Sequence, residues 1–390
     1  MANTNTTGSS GGPLTGLLVL DLSRILAGPF CSMMLADLGA RVIKVEQPEG
    51  DDARQYGPFV NGKSAYFSSV NRAKESIALD LKSEADRTIF EALLARADIL
   101  VENYRPGTME KLGYGWDRLH AKYPRLIYAA ASGFGHTGPD SKRAAYDMVV
   151  QGMGGVMSLT GHPGSPPTRV GTSIGDITAA LFATIGVNAA LYNRTSTGQG
   201  TKVDVSMLDC QVAILENAIA RYFASGEVPG PMGARHPSIT PFEAFATKHG
   251  HIIIAAGNDG LFRKLAGALG KPALADDPRF LTNPKRTENV GALKVEIEAL
   301  LASDDAPAWL TRIDATGVPC APINNVEEAV THRQIVARNM IVTATEADGT
   351  ALKMAGNPIK LSGFADPSTR APAPSLDGNR AAILKELGLG

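Results

Sequence analysis

A chain of 390 residues is too long for one ordinary core, so two domains, or one large domain with an insert, are expected. Hydrophobic residues make up 44% and charged residues 20%, the balance of a globular protein with a sizeable interior. The 38 basic and 39 acidic residues leave a net charge of −1 without a basic stripe or acidic tail, which argues against nucleic acid and membrane surfaces as partners.

The three cysteines, Cys31, Cys210 and Cys320, are scattered and form no CxxC pair. Neither a disulfide framework nor a zinc site is expected, and a reducing cytoplasm fits. Residues 1–15 are polar and Gly/Ser-rich, lack the pattern of a signal peptide and are expected to fray. No apolar run is expected to reach membrane-spanning length.

From Gly16 onward, strand-like and helix-like text alternates. LLVLDL (17–22) is followed by a helical pattern over 24–39 that stops at Gly39, then by RVIKVE (41–46), SIALDL (76–81), a helix near 84–97, ADILVEN (97–103) and RLIYAAASGFG (125–135). This alternation predicts a parallel sheet with helices on both faces. Residues 201–224 read as a linker, and the Gly/Pro-rich 225–241 as a long loop. HIIIAAGN (251–258) begins a smaller unit with helices near 260–269 and 290–302, and a short helix, AAILKELG (381–388), closes the chain.

The first strand–helix–strand, ending in Glu46, imitates a dinucleotide-binding unit. Its turn, however, runs Ser23 to Pro29 with a single glycine, Gly28, followed by a proline that offers no N–H. The Gly-rich approach to a pyrophosphate is missing, which disfavours a nicotinamide dehydrogenase. No HExxH helix is present either.

Asp176 lies in GTSIGDITAALFATIGVNAAL (171–191), ahead of a nearly all-apolar helix that is expected to be buried. At or beside the helix N-cap, free N–H groups and the helix dipole favour an ionised carboxylate. A capping role and a nucleophilic role both fit this window. Asp147, in AAYDMVVQGMGG (144–155), is a second acid; two neighbouring carboxylates repel and their proton affinities separate, although a turn or cap also explains it. Glycines crowd both windows, and VENYRPG (101–107) ends a strand where open α/β sheets bind ligands. His136 and His236 lie in loops without metal-like spacing, and no metal is expected.

In order along the chain, GLLVLDLSRILAGPFCSMMLADLGARVIKVE (16–46), NRAKESIALDL (71–81), DILVENYRPGTMEKLGYGW (98–116), LIYAAASGFGHTGP (126–139), YDMVVQGMGGVMSLTG (146–161), GTSIGDITAAL (171–181) and GVPCAPINN (317–325) resemble the class III coenzyme A transferases, the CaiB/BaiF family. The resemblance implies an α/β fold: a Rossmann-like large domain built from both chain termini, a smaller inserted α/β domain, and an interlocked homodimer. On that basis the expected divisions are a frayed 1–15, a large CoA-binding domain at 16–200, a linker at 201–224, a small domain at 225–320, and a return at 321–390.

It also implies that Asp176 is the nucleophile, attacking a donor thioester to form an aspartyl anhydride and then an aspartyl–CoA thioester. Coenzyme A thioester is then a substrate, with no permanently bound cofactor. Asp147 matches an acidic position near the site. In racemases of the same fold the position before it is a histidine; here it is Tyr146, and a phenol with pKa about 10 is a poor neutral-pH base. The CoA contacts implied by position are Ile25, Leu26, Lys74, Asn103, Tyr104 and Lys111. Gln47 and Ala144 stand where relatives carry basic residues, with Arg54 or Arg143 as nearby substitutes. GARHPSITP (233–241) replaces a glycine-only loop of the formyl-CoA:oxalate branch, so shielding of the intermediates must work differently or use His236. ASGFGHTGP, VGTS and MAGNPIKLSGFADP most resemble the acetyl-CoA:oxalate branch. The partners implied are a short acyl-CoA (acetyl, formyl or succinyl) and a small carboxylate, oxalate first. A succinyl-CoA:glutarate-type transferase and an α-methylacyl-CoA racemase are the alternatives.

Overall fold

In the computed structural model, which describes residues 11–390, six short runs rich in Val, Ile, Leu and Ala form one parallel sheet. They are β1 (Leu18–Asp21), β2 (Arg41–Glu46), β3 (Glu75–Ala78), β4 (Ile99–Glu102), β5 (Ile127–Ser132) and β6 (Lys202–Ser206). Their order is β3-β2-β1-β4-β5-β6, with every neighbouring pair parallel. The winding reverses between β1 and β4, and at such a switch point the strand ends leave a crevice.

Successive side chains of a strand point to opposite faces, and here they divide the interior in two. Leu20, Ile43, Leu100 and Tyr128 join one core; Val19, Val42, Ile99 and Ile127 join the other. The helices that shape the site are α1 (Ala27–Asp37), α2 (Ala65–Asn71), α3 (Glu84–Leu94), α4 (Asp147–Met153), α5 (Ile174–Thr197), α6 (Met207–Ala213) and α7 (Asn217–Ser225). Phe90 and Leu93 of α3 fill the first core, whereas Cys31 and Leu35 of α1 with Ala183 and Val187 of α5 fill the second. Each fully buried aliphatic or aromatic side chain contributes about 1.5–3 kcal/mol, so the strand alternation itself anchors both helix layers.

The chain forms two units. One comprises the residues up to Met157 with Arg169–Glu227 and His332–Gly390; the other comprises Ser158–Thr168 and Val228–Thr331. The second unit thus starts and ends later than the expected 225–320, and it also takes in a short segment from far earlier in the chain. Its antiparallel sheet orders Cys320–Pro322, His251–Ala255 and Phe242–Ala246 side by side. Ile252 and Ile254 point into a core with Phe245, Phe262, Ile297 and Trp309.

Four expectations need correction. Residues 201–224 are no linker: they supply β6, α6 and most of α7, and the alternation Lys-Val-Asp-Val is that of a sheet-edge strand. Helix α5 is not buried all round. Ala179, Ala183 and Val187 pack inward against α1 and the sheet, while Phe182, Ile185 (63% exposed) and Tyr192 (81% exposed) face out. By length and composition this 24-residue helix could also cross a membrane, contrary to the expectation that no run reaches that length. It nevertheless carries a buried Arg194 that binds the Asp98 carboxylate at 3.0 Å. Finally, residues 1–10 of the segment expected to fray lie outside the described residues, but Leu14 is buried and donates its N–H to Leu38 O at 3.0 Å.

Candidate active site

Asp176 occupies the third position of α5, after Ser173 at the N-cap and then Ile174 and Gly175. It is therefore not the capping residue, and among the described residues none donates a hydrogen bond to its carboxylate. The N–H of Gly175, beside it in the chain, donates instead to Asp147 Oδ1 at 2.8 Å. Asp147 opens α4, and its Oδ2 accepts from Gln151 Nε2, one helical turn on, at 2.8 Å. Buried Gln151 is itself fixed, its Oε1 accepting from Val170 N at 2.9 Å. Both Asp147 oxygens are therefore held while both of Asp176's are left open.

This crossing of α4 and α5 requires Gly175: a Cβ there would meet Val150 Cγ2 at 2.7 Å and Asp147 Oδ1 at 3.0 Å. The expectation that the helix start keeps Asp176 ionised is corrected. Burial, and then repulsion from Asp147, push its carboxyl up to about 7. The helix N-terminus serves Asp147 instead. A carboxylate of raised basicity, free of donors, is suited to nucleophilic attack or proton exchange.

Tyr66 on α2 faces the same acids. Burial first, then the charge of Asp176, raise its phenol to about 12, which keeps it a neutral O–H donor. Its ring meets Tyr56 edge-on at 5.7 Å. Tyr146, at the N-cap of α4, is 75% exposed.

The turn between β1 and α1 carries Ile25 and Leu26. Asn103, just beyond the end of β4, spans it: Oδ1 accepts from Arg24 N at 2.8 Å and Nδ2 donates to Arg24 O at 2.7 Å. The guanidinium of Arg24 lies 5.7 Å from the centre of the Tyr104 ring. Arg24 and Tyr104 border a cavity of about 580 Å³ at the carboxyl ends of the strands. Leu22, Val45 and Leu79 give it an apolar wall, and its charged lining mixes Lys82, Arg105 and Arg24, which pairs with Asp52 at 3.3 Å, with Glu46, Glu49 and Asp80.

Sequence reasoning placed other cations there. Lys74 is corrected outright: it is wholly buried and its ammonium donates to Asp21 Oδ2, Pro29 O and Asn71 Oδ1, each at 2.9 Å. Burial lowers it to about 8, so it stays charged against Asp21 and has no hydrogen left for a ligand. Lys111 is exposed on a short helix whose Thr108 and Leu112, but not Lys111, line the cavity. Arg54 is taken by Glu46 at 2.6 Å, and Arg143 pairs with Asp140 at 3.0 Å. His236 belongs to the second unit, where its Nδ1 accepts from Ser238 N and Ile239 N at 3.1 Å and its ring stacks on Phe242. Tyr56, Tyr66, Arg24 and Lys82 were not singled out by the sequence, whereas Arg105 lies in the VENYRPG strand end that it marked. Gln151 had a signal, its helical spacing from Asp147.

The sequence model of CoA-transferase family III matches residues 14–380. This chain belongs to that family. It is 47% identical to the acetyl-CoA:oxalate CoA-transferase of Acetobacter aceti over 96% of each chain. It is 39% identical to the succinate–glutarate CoA-transferase of Agrobacterium fabrum, again over 96% of each. Among solved structures, a CaiB/BaiF family protein from Brucella suis superposes with a TM-score of 0.85 at 40% identity, covering 97% of this chain and 100% of that one. The protein is a CoA-transferase of family III, and CoA thioesters are the substrates of such enzymes.

Proposed function

We propose that this transferase moves coenzyme A from a short acyl-CoA to a small carboxylate, with oxalate the first choice of acceptor and Asp176 the covalent nucleophile. The observation that carries the reading is the asymmetry of the acid pair: Asp147 is hydrogen bonded through both oxygens, and Asp176 is unbonded and raised. An Asp176 oxygen attacks the thioester carbonyl, the C–S bond breaks, and an acyl–aspartyl anhydride forms with CoA thiolate. The thiolate attacks the aspartyl carbonyl and expels the donor acid, leaving an aspartyl–CoA thioester. The acceptor carboxylate then displaces CoA to form a second anhydride. Return of the thiolate to the acceptor's carbonyl yields the new thioester and restores Asp176. Each step exchanges one activated acyl group for another, so positioning and charge stabilisation carry the rate.

In this reading the 580 Å³ cavity holds the nucleotide end of CoA, its base against Leu22, Val45 and Leu79 and its phosphates on Arg24, Lys82 and Arg105. Ile25, Leu26, Asn103 and Tyr104 line the path from there to the acids, and Tyr66 donates its O–H to a bound carboxylate. His236 and Tyr146 remain proposed parts of the substrate loop. Oxalate is favoured by the relative at 47% identity; the relative at 39% supports a glutarate-type acceptor as the second reading. We further propose a homodimer, interlocked as the family resemblance implies, that covers the outward Phe182, Ile185 and Tyr192. A cytoplasmic site of action suits the three unpaired cysteines.

Incubation with acyl-CoA and hydroxylamine should convert Asp176 to a hydroxamate, detectable by mass on its peptide and absent in D176A. Transfer activity should fall by a factor on the order of 10⁴ or more in D176A. An unmodified Asp176 peptide together with active D176A would refute the covalent role. Donor–acceptor pairs tested by mass spectrometry decide between oxalate and glutarate.

A further inference from the structure

Ile25 is β-branched, yet its φ is +68°, in the left-handed region that such side chains avoid. Backbone held there needs surroundings that over-determine it. They are present. The peptide unit between Arg24 and Ile25 is gripped at both ends, its carbonyl by Asn103 Nδ2 at 2.7 Å and its N–H by the two carboxylate oxygens of Asp51 at 3.1 and 3.2 Å. Asp51 is buried, pairs with the buried ammonium of Lys44 at 2.9 Å, and also accepts from Ala53 N at 2.9 Å. Lys44 in turn donates to Ser23 O at 2.7 Å, so two peptides of the turn hang on one ion pair.

The turn links the two halves of the site. Arg24 borders the cavity, and Ala27 packs against Val150 of α4 and Ala179 of α5, the helices that carry the acid pair.

We infer that Asp51 is a positioning residue for acyl-CoA binding, holding the strained Arg24–Ile25 peptide in its ligand-ready orientation before the substrate arrives. Buried beneath the turn, it acts through the backbone. Its partner Lys44 fixes the carboxylate in place. The inference rests on the CoA-transferase reading of this site, and it adds a group that the sequence did not single out.

The test is a double-mutant cycle between Asp51 and the conformation of residue 25. Glycine adopts positive φ without strain, so in an I25G background the clamp has less to do. Calorimetric titration with coenzyme A should show D51A weakening binding more than tenfold in the native background and less than threefold in the I25G background. In steady state, KM for acyl-CoA should rise more than kcat falls. D51N, which retains one acceptor oxygen but loses the charge facing Lys44, should lie between and serves if D51A does not fold. Equal losses in both backgrounds, or no loss in folded D51N, would overturn the clamp. Absence of CoA binding and transfer in the unmodified protein would instead remove the functional reading on which the clamp rests.

Discussion

Asp21, fully buried, and Asp176, half-buried, are acids of one unit, and they end in opposite states. Burial raises the proton affinity of each. At Asp21 the ammoniums of Lys74 and Lys44, with hydrogen bonds from Ser23 and Ser32, outweigh it and hold the carboxyl far below its usual range. At Asp176 no donor arrives from the described residues, and the nearby charge is that of another carboxylate. The sign of the neighbour, rather than the depth of burial, separates a structural acid from a reactive one.

The contrast can be broken most forcefully at Lys74. K74A leaves the Asp21 carboxylate buried without its ammonium partner and should cost about 3–5 kcal/mol, measured by urea unfolding. If K74A weakened CoA binding with no loss of stability, Lys74 would return to the ligand site. A second test sharpens the other side. In the proposed mechanism Asp176 must be ionised to attack, so kcat/KM should climb as pH rises through about 7. D147N removes the repelling charge while its Oδ1 still accepts the Gly175 N–H, and the climb should move to lower pH. An unmoved profile would mean that Asp176 does not sense Asp147.

The smallest effect lies in stability. A carboxyl raised from its ordinary 3.8 to about 7 holds a proton in the folded state that the unfolded chain has already released. Stability therefore falls as pH rises across that window, and the loss is complete above it. D176N removes this loss: its Tm should exceed that of the unmodified protein by a few degrees at pH 8 and equal it near pH 4. Equal Tm values at both pH values would show that Asp176 is not raised.

Much of this was legible in the text. The alternation in LVLD, RVIKVE and IYAAAS reads directly as two-faced strands, because a strand exposes its pattern at every second residue. The window around Asp176 fitted both a cap and a nucleophile, and the family resemblance singled it out. What misled was any inference needing a partner in space. Lys74 followed a motif into the wrong role, since nothing in NRAKESIALDL indicates that Asp21 is 2.9 Å away. Helix α5 reads as buried because composition does not show that one of its faces stays outside. Ile25 gives no warning of its positive φ, because that angle is imposed by Asp51 and Asn103 from other elements.

Sequence alone therefore determined the parallel α/β plan, the family, and Asp176 as the residue to watch, since each is encoded in contiguous residues or their periodicity. Only the tertiary structure decided which acid the helix N-terminus serves, which lysine is consumed in the core and how the turn after β1 is strained. Charges, donors and backbone torsions act through space, and the fold chooses their neighbours.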